Sequence, residues 1–301
     1  MHNLPAITDV RRAFPGAAVD WLVEEAYAPL VRLHPGVRRV IPVAVRRWRR
    51  RLGSAATWRE IGSLRHELRT ERYGSIVDTQ GLIKSAVLAG VASGVRHGFD
   101  AASAREPFSA RFYHETHAVD RSLHAVVRNR LLVAASLGYP VEGPADYGIR
   151  AAALEPAREG DVVFLHSTSR ADKHWPEPAW IAVGRWLADR GIRVLLPWGS
   201  PSERSRSERM AQALPNARVP EALPLGDVAR LLARARAVVG LDTGLTHLAA
   251  ALGVPVAAIF CATDAQLTGV YGAERAWNLG GCGHAPEPQD VTRILSQVVS
   301  G

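Results

Sequence analysis

The sequence predicts an α/β protein built as two doubly wound domains in tandem, and three observations carry that expectation. Strand-patterned and helix-patterned segments alternate along nearly all of the 301 residues, the rhythm of parallel strands joined by crossover helices. One stretch rich in Pro, Gly and acids, 140–161, interrupts the alternation, as a linker between compact units does. The length is that of about two ordinary domains. With 47% hydrophobic and 22% charged residues, the chain has apolar material for two cores and is neither disordered nor fibrous.

Leu4, Ile7, Val10 and Phe14 recur at about one turn, a helix that Pro15-Gly16 stops. Residues 18–23 read as a strand, a helix lies near Tyr27, 37–43 is a second strand, 58–71 a helix and 75–78 a third strand. Each is bounded by Gly, Pro or polar residues. Apolar helices follow over 82–91 and 125–137. Past the interruption come strand 162–166, a helix with Trp180, Val183, Gly184 and Leu187 on one face, strand 193–196 and a polar helix over 203–214. Helix 225–235, strand 237–241, helix 246–252, strand 255–260 and a closing helix over 291–299 complete the series. The expected domains are therefore 1–145 and 161–301, with 146–160 as linker. A doubly wound domain ordinarily opens with a central strand, yet helical patterning follows Met1 at once, so the first strand of the first domain is expected to be missing from this sequence. Ligands of such sheets sit beyond the carboxyl ends of strands, which directs attention to the cleft between the domains.

Basic residues number 37 against 29 acidic ones, a net charge of +8, and only Lys84 and Lys173 are lysines. Nucleic acid, anionic headgroups and phosphorylated small molecules all suit such a chain. The excess is local: Arg32, Arg38, Arg39 and the run Arg46, Arg47, Trp48, Arg49, Arg50, Arg51 follow one another without an intervening carboxylate. The patch fits nucleic-acid phosphates with a stacking base and equally a polyanionic substrate. Apolar runs fall short of the ~20 residues of a spanning helix, no signal peptide is expected, and two cysteines, Cys261 and Cys282, fit a reducing compartment.

Candidate chemistry concentrates in loops after strands. In Val239-Gly240-Leu241-Asp242-Thr243-Gly244-Leu245-Thr246-His247, a buried strand ends at Asp242, Gly244 allows a tight turn and Thr246 is placed to cap the next helix. Free amides at that helix start would form an anion site suited to a phosphate or diphosphate. An ordinary strand-turn-helix junction gives the same pattern. In His166-Ser167-Thr168-Ser169-Arg170-Ala171-Asp172-Lys173-His174-Trp175, hydroxyls and cations crowd one loop, and Lys173 is the compact point charge expected to meet a phosphate. Trp198-Gly199-Ser200-Pro201-Ser202-Glu203 offers a carboxylate for ribose or sugar hydroxyls, although a first-turn Glu also serves the helix itself. Asp78 with Gln80 and Ala104-Arg105-Glu106-Pro107 read as structural turns. Eleven histidines show no metal-ligand spacing and no nucleophile elbow or phosphate-binding Gly-Lys loop occurs, so the expected anion site is metal-free.

Together, Asp242-Thr243-Gly244-Leu245-Thr246-His247, Thr168-Ser169 with Asp172-Lys173-His174-Trp175, Leu196-Pro197-Trp198-Gly199, Ile41-Pro42-Val43 with Arg46-Arg47-Trp48-Arg49, Asp78-Thr79-Gln80-Gly81 and Ala104-Arg105-Glu106-Pro107 resemble the bacterial ADP-heptose lipopolysaccharide heptosyltransferases over nearly the whole chain. The Arg-Arg-Trp-Arg and Ala-Arg-Glu-Pro elements resemble those members that add the first heptose of the inner core. The resemblance implies two Rossmann-like domains in the GT-B arrangement and an inverting transfer of heptose from ADP-heptose to Kdo of lipid A, without metal or cofactor. It implies a donor site of Thr168, Ser169, Lys173, Glu203, Leu223, Asp242, Thr243, Gly244, Leu245, Thr246 and His247, with Lys173 stabilising the leaving group. Arg46, Arg47, Arg49, Arg50 and Arg105 would meet the acceptor. It further implies a monomer, peripheral to the cytoplasmic face of the inner membrane, with no nucleic-acid partner.

Two departures from the family pattern bear on this. The family's opening strand and its Gly-Asp turn, which supplies the general base, have no counterpart before His2-Asn3-Leu4-Pro5, and the expectation is that the true reading frame begins upstream of Met1. A usual Gly-Pro before Thr263-Asp264 is here Cys261-Ala262. Rival readings of the same residues are heptosyltransferase II or another member differing in acceptor, a nucleotide-sugar epimerase, an arginine-rich nucleic-acid binder, and a relic that holds the donor without its base.

Overall fold

The structure, a computed structural model, describes residues 1–149, 154 and 160–299. It divides into two compact units, His2–Gly148 and Ile149–Gly301, Met1 clustering with the second. Residues 150–153 and 155–159 of the expected linker lie outside the described residues. Among the described residues no helix is long and apolar enough to cross a membrane.

The first unit runs α1 (Leu4–Ala13), β1 (Val19–Glu24), α2 (Ala28–Val31), β2 (Val37–Val43), α3 (Val45–Trp48), α4 (Ala55–Thr70), β3 (Arg72–Asp78), α5 (Ile83–Ala89), β4 (Ser93–Phe99), β5 (Glu115–His117) and α6 (Ala125–Leu137). Its strands form two parallel sheets, β1-β2 and β3-β4-β5. The sheets share one floor, since Val19 of β1 and Val77 of β3 pack on Ala6 and Val10 of α1 and Val133 of α6. Tyr73 of β3 donates its hydroxyl to Asp20 of β1 at 2.9 Å, so the edges of β1 and β3 face each other. α1 and α6 are locked by a buried ion pair in which Arg130 donates to both oxygens of Asp9, at 2.7 and 3.1 Å.

Sequence patterning misses β4 and β5. β4 carries Gly94, Arg96, His97 and Gly98 where apolar residues would mark a strand, and it is held by tertiary partners instead. Its Gly98 is required, because a Cβ there would stand 2.2 Å from the ring of Tyr113, whose hydroxyl donates to the buried Asp78 at 2.7 Å.

The second unit comprises β6 (Val162–Leu165), α7 (Glu177–Ala188), β7 (Val194–Leu195), α8 (Pro201–Gln212), β8 (Ala217–Arg218), α9 (Leu225–Arg234), β9 (Ala237–Leu241), α10 (Gly244–Ala251), β10 (Val256–Phe260), α11 (Ala265–Thr268), β11 (Ala276–Gly280) and α12 (Pro288–Val299). Its six strands are ordered β11-β10-β9-β6-β7-β8 and all pair in parallel. β6, β9 and β10 are buried along their whole length, as strands covered on both faces must be. Phe164, Trp175, Trp180, Leu187, Leu196, Met210, Leu241 and Ile259 form one core. The strand order reverses between β6 and β9, and that switch point is where an open α/β sheet leaves a crevice at its carboxyl edge.

Candidate active site

The loops that leave β6 and β9 flank this switch point, and each delivers one member of an ion pair. Lys173 Nζ donates to Asp242 Oδ2 at 2.6 Å, and both side chains are largely buried, at 16% and 10% exposure. Thr263, in the loop after β10, donates to the same oxygen at 2.7 Å, and His247 Nε2 lies 3.6 Å from Oδ1. Burial on its own would raise the Asp242 pKa, but the close approach of His247, hydrogen bonds from Lys173 and Thr263 and the Lys173 charge hold the carboxyl well below the usual carboxylate range. Asp242 is thus a fixed anion that aims a lysine, and a poor proton acceptor near neutrality.

The junction after β9 differs from expectation in two respects. α10 starts at Gly244 with Thr243 as N-cap, so Thr246 sits inside the first turn and does not cap it. Its hydroxyl donates back to Leu241 O at 2.5 Å, fastening the helix start to the strand end. Gly244 is the first helical residue, and its backbone is not left-handed. Its lack of a side chain leaves open space beside the chain. The amides of Gly244 and Leu245 begin a helix and have no carbonyl one turn earlier to bond, so they are the unpaired donors that the expected anion site calls for.

The loop after β6 is organised from below. His166 is fully buried, exchanging hydrogen bonds with Ser207 (2.8 Å) and Ser167 (2.9 Å); burial, with Arg206 nearby, brings its pKa down to about 4. His174 contacts Thr168 O at 3.2 Å and pairs with Arg206, which also donates to Trp175 O at 2.8 Å. Thr168 is half-buried and Ser169 exposed on the same loop as Lys173. Ser200 caps α8 and Glu203 accepts from Gly199 N at 2.7 Å, so the Glu203 carboxylate closes its own loop. Leu223 lies elsewhere: with Asp227, Arg230 and Leu231 it lines a groove against Val163 and Leu195 that none of the Lys173–Asp242 cluster touches.

In the first unit the arginines separate into two kinds. Arg47 is bound by Glu25 (3.0 Å) and Glu60 (3.0 Å), and Arg38 and Arg39 are bound by Asp20, so carboxylates remote in sequence neutralise Arg47 within the run and Arg38 and Arg39 before it. Arg46, Arg49 and Arg50 are exposed, with Arg46 5.9 Å from the Tyr27 ring centroid. Arg105 is exposed on a loop joined to the Asp78–Gly81 turn: Glu106 N donates to Gly81 O at 2.9 Å and Glu106 accepts from Ile83 N at 2.7 Å. Gly81, at φ +60°, fits there because a Cβ would press on Ala104 and Arg105 at 3.3 Å. Two motifs read separately in sequence are therefore one joint. Thr263 is the member of the second-unit cluster absent from the expected donor set; its place directly after a buried strand was the available signal.

Residues 61–295 match the profile of glycosyltransferase family 9 (heptosyltransferase). The chain is 46% identical over 277 residues to lipopolysaccharide heptosyltransferase 1 of Escherichia coli K12, covering 90% of this chain and 87% of that protein. It is similar to the solved structure of E. coli heptosyltransferase WaaC with ADP, at TM-score 0.91 and 42% identity over 98% of this chain and 95% of that one. For the same heptosyltransferase with ADP-2-deoxy-2-fluoro heptose the TM-score is 0.88 at 41% identity, with the same coverage.

Proposed function

This chain belongs to glycosyltransferase family 9, the heptosyltransferases, and from that membership we propose that it transfers L-glycero-D-manno-heptose from ADP-heptose to a Kdo residue of the lipid A inner core. The observation that carries the donor half is the Lys173–Asp242 pair at 2.6 Å, set at the switch point beside the first amides of α10. In an inverting, single-displacement transfer the acceptor hydroxyl bonds to the anomeric carbon as the bond to ADP breaks, its proton passing to solvent water, while the anomeric carbon gains positive charge and the departing ADP takes the electron pair and gains negative charge. Lys173, aimed by Asp242, and the α10 amides meet the latter, so the positive charge comes from the chain's own groups. Thr168, Ser169, Thr243 and His247 are assigned to the donor, Glu203 to its ribose and Leu223 to its adenine, by their matching motif positions. The similarity to WaaC with ADP and with a fluorinated ADP-heptose supports this donor.

On the acceptor side, Arg46, Arg49, Arg50 and Arg105 are the exposed cations offered to phosphates and Kdo carboxylates, while Arg47, engaged by Glu25 and Glu60, braces the segment. The enzyme acts as a monomer at the cytoplasmic face of the inner membrane. The exposed Leu52 and Trp58, at 55% and 58%, follow this arginine run and suit a lipid interface. Incubating the purified chain with ADP-heptose and Kdo-lipid A, and following product by mass spectrometry, is the test. Gain of one heptosyl unit supports the proposal; binding of ADP-heptose with no heptosylated product overturns it in favour of a donor-binding relic.

A further inference from the structure

The fold assembles in the first unit a cluster that sequence spacing does not reveal. β4 and β5 pair in parallel with His97 opposite Glu115 and Phe99 opposite His117. Side chains alternate along a strand, so His97, Glu115 and His117 share one face. His97 Nδ1 is 3.3 Å from His117 Nε2 and 3.5 Å from Glu115 Oε2, and the ligand atoms of all three lie within 4.8 Å of one another. A tetrahedral zinc ion bound at ~2.0–2.1 Å holds neighbouring donor atoms about 3.3 Å apart. The separations of His97 Nδ1 from His117 Nε2 and from Glu115 Oε2 match that edge.

From this geometry we propose that His97, Glu115 and His117 form a binding site for a divalent transition-metal ion of the zinc class, its fourth position taken by water. Two imidazoles and one carboxylate select zinc, cobalt or nickel over magnesium or calcium, which prefer all-oxygen shells. His97 is 4% exposed and anchors the site from inside, whereas the Glu115 side chain is 59% exposed and leaves an entry from solvent.

The site's position gives the ion a role. Its ligands bracket residues 98–114, the segment that carries Arg105. The same segment is tied to His117 by Asp100 N donating to His117 O at 3.0 Å, and to the next loop by Val119 N donating to Ser103 Oγ at 2.9 Å. An ion joining β4 to β5 closes this loop at its base, removing conformational freedom that two hydrogen-bonded strand edges alone leave to it. The site is structural and distinct from the Lys173–Asp242 cluster, so it does not depend on the transferase assignment.

The test is titration of the metal-free, untagged protein with zinc by calorimetry and with cobalt by visible absorption. One equivalent should bind, cobalt should show the spectrum of a four-coordinate ion, and zinc should raise the melting temperature. His117→Ala should weaken zinc binding by more than about 100-fold, beyond what loss of an outer-shell partner costs, and abolish the zinc-dependent melting shift. Glu115→Gln should weaken it less, and the exposed His66→Ala should leave it unchanged. Since His97→Ala threatens a buried position, the partly and largely exposed His117 and Glu115 carry the decision. Absence of one-equivalent binding, or binding that survives His117→Ala in a protein with native circular dichroism, overturns the proposal and leaves the trio as a hydrogen-bonded pair with a nearby carboxylate.

Discussion

Lys173 and Asp242 are 69 residues apart and 2.6 Å from each other, so the loop after β6 and the loop after β9 are pinned together by one charge-assisted bond. The pair sets the direction of the ammonium group, and the bond is shared with Thr263 on a third loop. Removing either partner leaves the other ion largely buried with reduced compensation, which is costly.

Lys173→Ala is accordingly predicted to lower kcat roughly 10²–10³-fold at saturating ADP-heptose, the range for losing one preorganised charge-stabilising group. Asp242→Asn, which leaves the lysine in place but unaimed, should lower kcat less, and the double variant should fall short of the summed losses because the two act as a unit. Steady-state kinetics of the three variants checks this. An unchanged kcat in Lys173→Ala would remove the lysine from leaving-group stabilisation.

His166 makes folding sensitive to mild acid. Burial and the neighbouring Arg206 bring its folded pKa to about 4, against about 6.5 in an unfolded chain. Above pH 6.5 the ring is neutral in both states and contributes no pH dependence. Between 6.5 and 4 the unfolded state takes up a proton that the folded state refuses, so stability falls with pH by up to about 3 kcal/mol and then levels off. Urea unfolding at pH 7, 5.5 and 4.5 should show that slope, and His166→Asn, which retains a partner for Ser207, should flatten it. His34 and His97 are also lowered by burial, so the variant-minus-parent difference is the quantity to read.

Much of the second unit was legible from sequence because its central strands are continuous apolar runs between Gly, Pro and polar breaks: 237–241 falls where β9 lies. The motif loops after β6 and β9 were legible for the same reason, since a motif directly after a buried strand lies at the carboxyl edge. What was hidden depends on tertiary partners. The run Arg46 to Arg51 reads as uniformly cationic, yet Glu25 and Glu60 neutralise Arg47. Asp9 and Arg130 are 121 residues apart and reveal nothing of their pairing. β4 is a strand because β3 and β5 pair with it, despite two glycines, Arg96 and His97 within it. A threonine at a helix start ordinarily caps it, which is what the sequence predicts for Thr246; the helix begins two residues earlier, and the hydroxyl turns back to the strand instead.

The proposed association with a lipid surface draws on exposed apolar side chains of the first unit. Phe14, Tyr27, Leu52, Trp58, Ile83, Val87, Val95 and Phe108 are exposed there, against Leu267 alone among the described residues of the second unit. Leu52 and Trp58 adjoin Arg49, Arg50 and Arg51, and the Trp58 indole is fixed by donating to Leu52 O at 2.8 Å. The double variant Leu52→Ser/Trp58→Ser should lose co-sedimentation with vesicles containing anionic lipid and lose transfer to membrane-embedded acceptor, while transfer to a deacylated, soluble acceptor is retained. Equal loss on both acceptors would show that these residues serve the reaction and not the surface.

Gly240 controls how closely α10 approaches the sheet, and with it the geometry around Asp242. A Cβ at this position of β9 would stand 2.3 Å from Thr246 Oγ1 and 3.2 Å from Leu165 Cβ on β6, both in fully or nearly fully buried surroundings. Gly240→Ala therefore has to push Thr246 away, breaking its bond to Leu241 O and lifting the first turn that carries Gly244 and Leu245. The expected cost is about 1–3 kcal/mol of overpacking, together with a raised KM for ADP-heptose because the anion-binding amides are displaced. Thr246→Ala alone should cost about 1–3 kcal/mol by leaving the Leu241 carbonyl without its donor. In the double variant the missing hydroxyl makes room for the new methyl group, so Gly240→Ala should be markedly less damaging in that background than in the parent. Urea unfolding of the two single variants and the double closes the cycle. Strictly additive losses would mean that Thr246 does not hold the helix start against the strand.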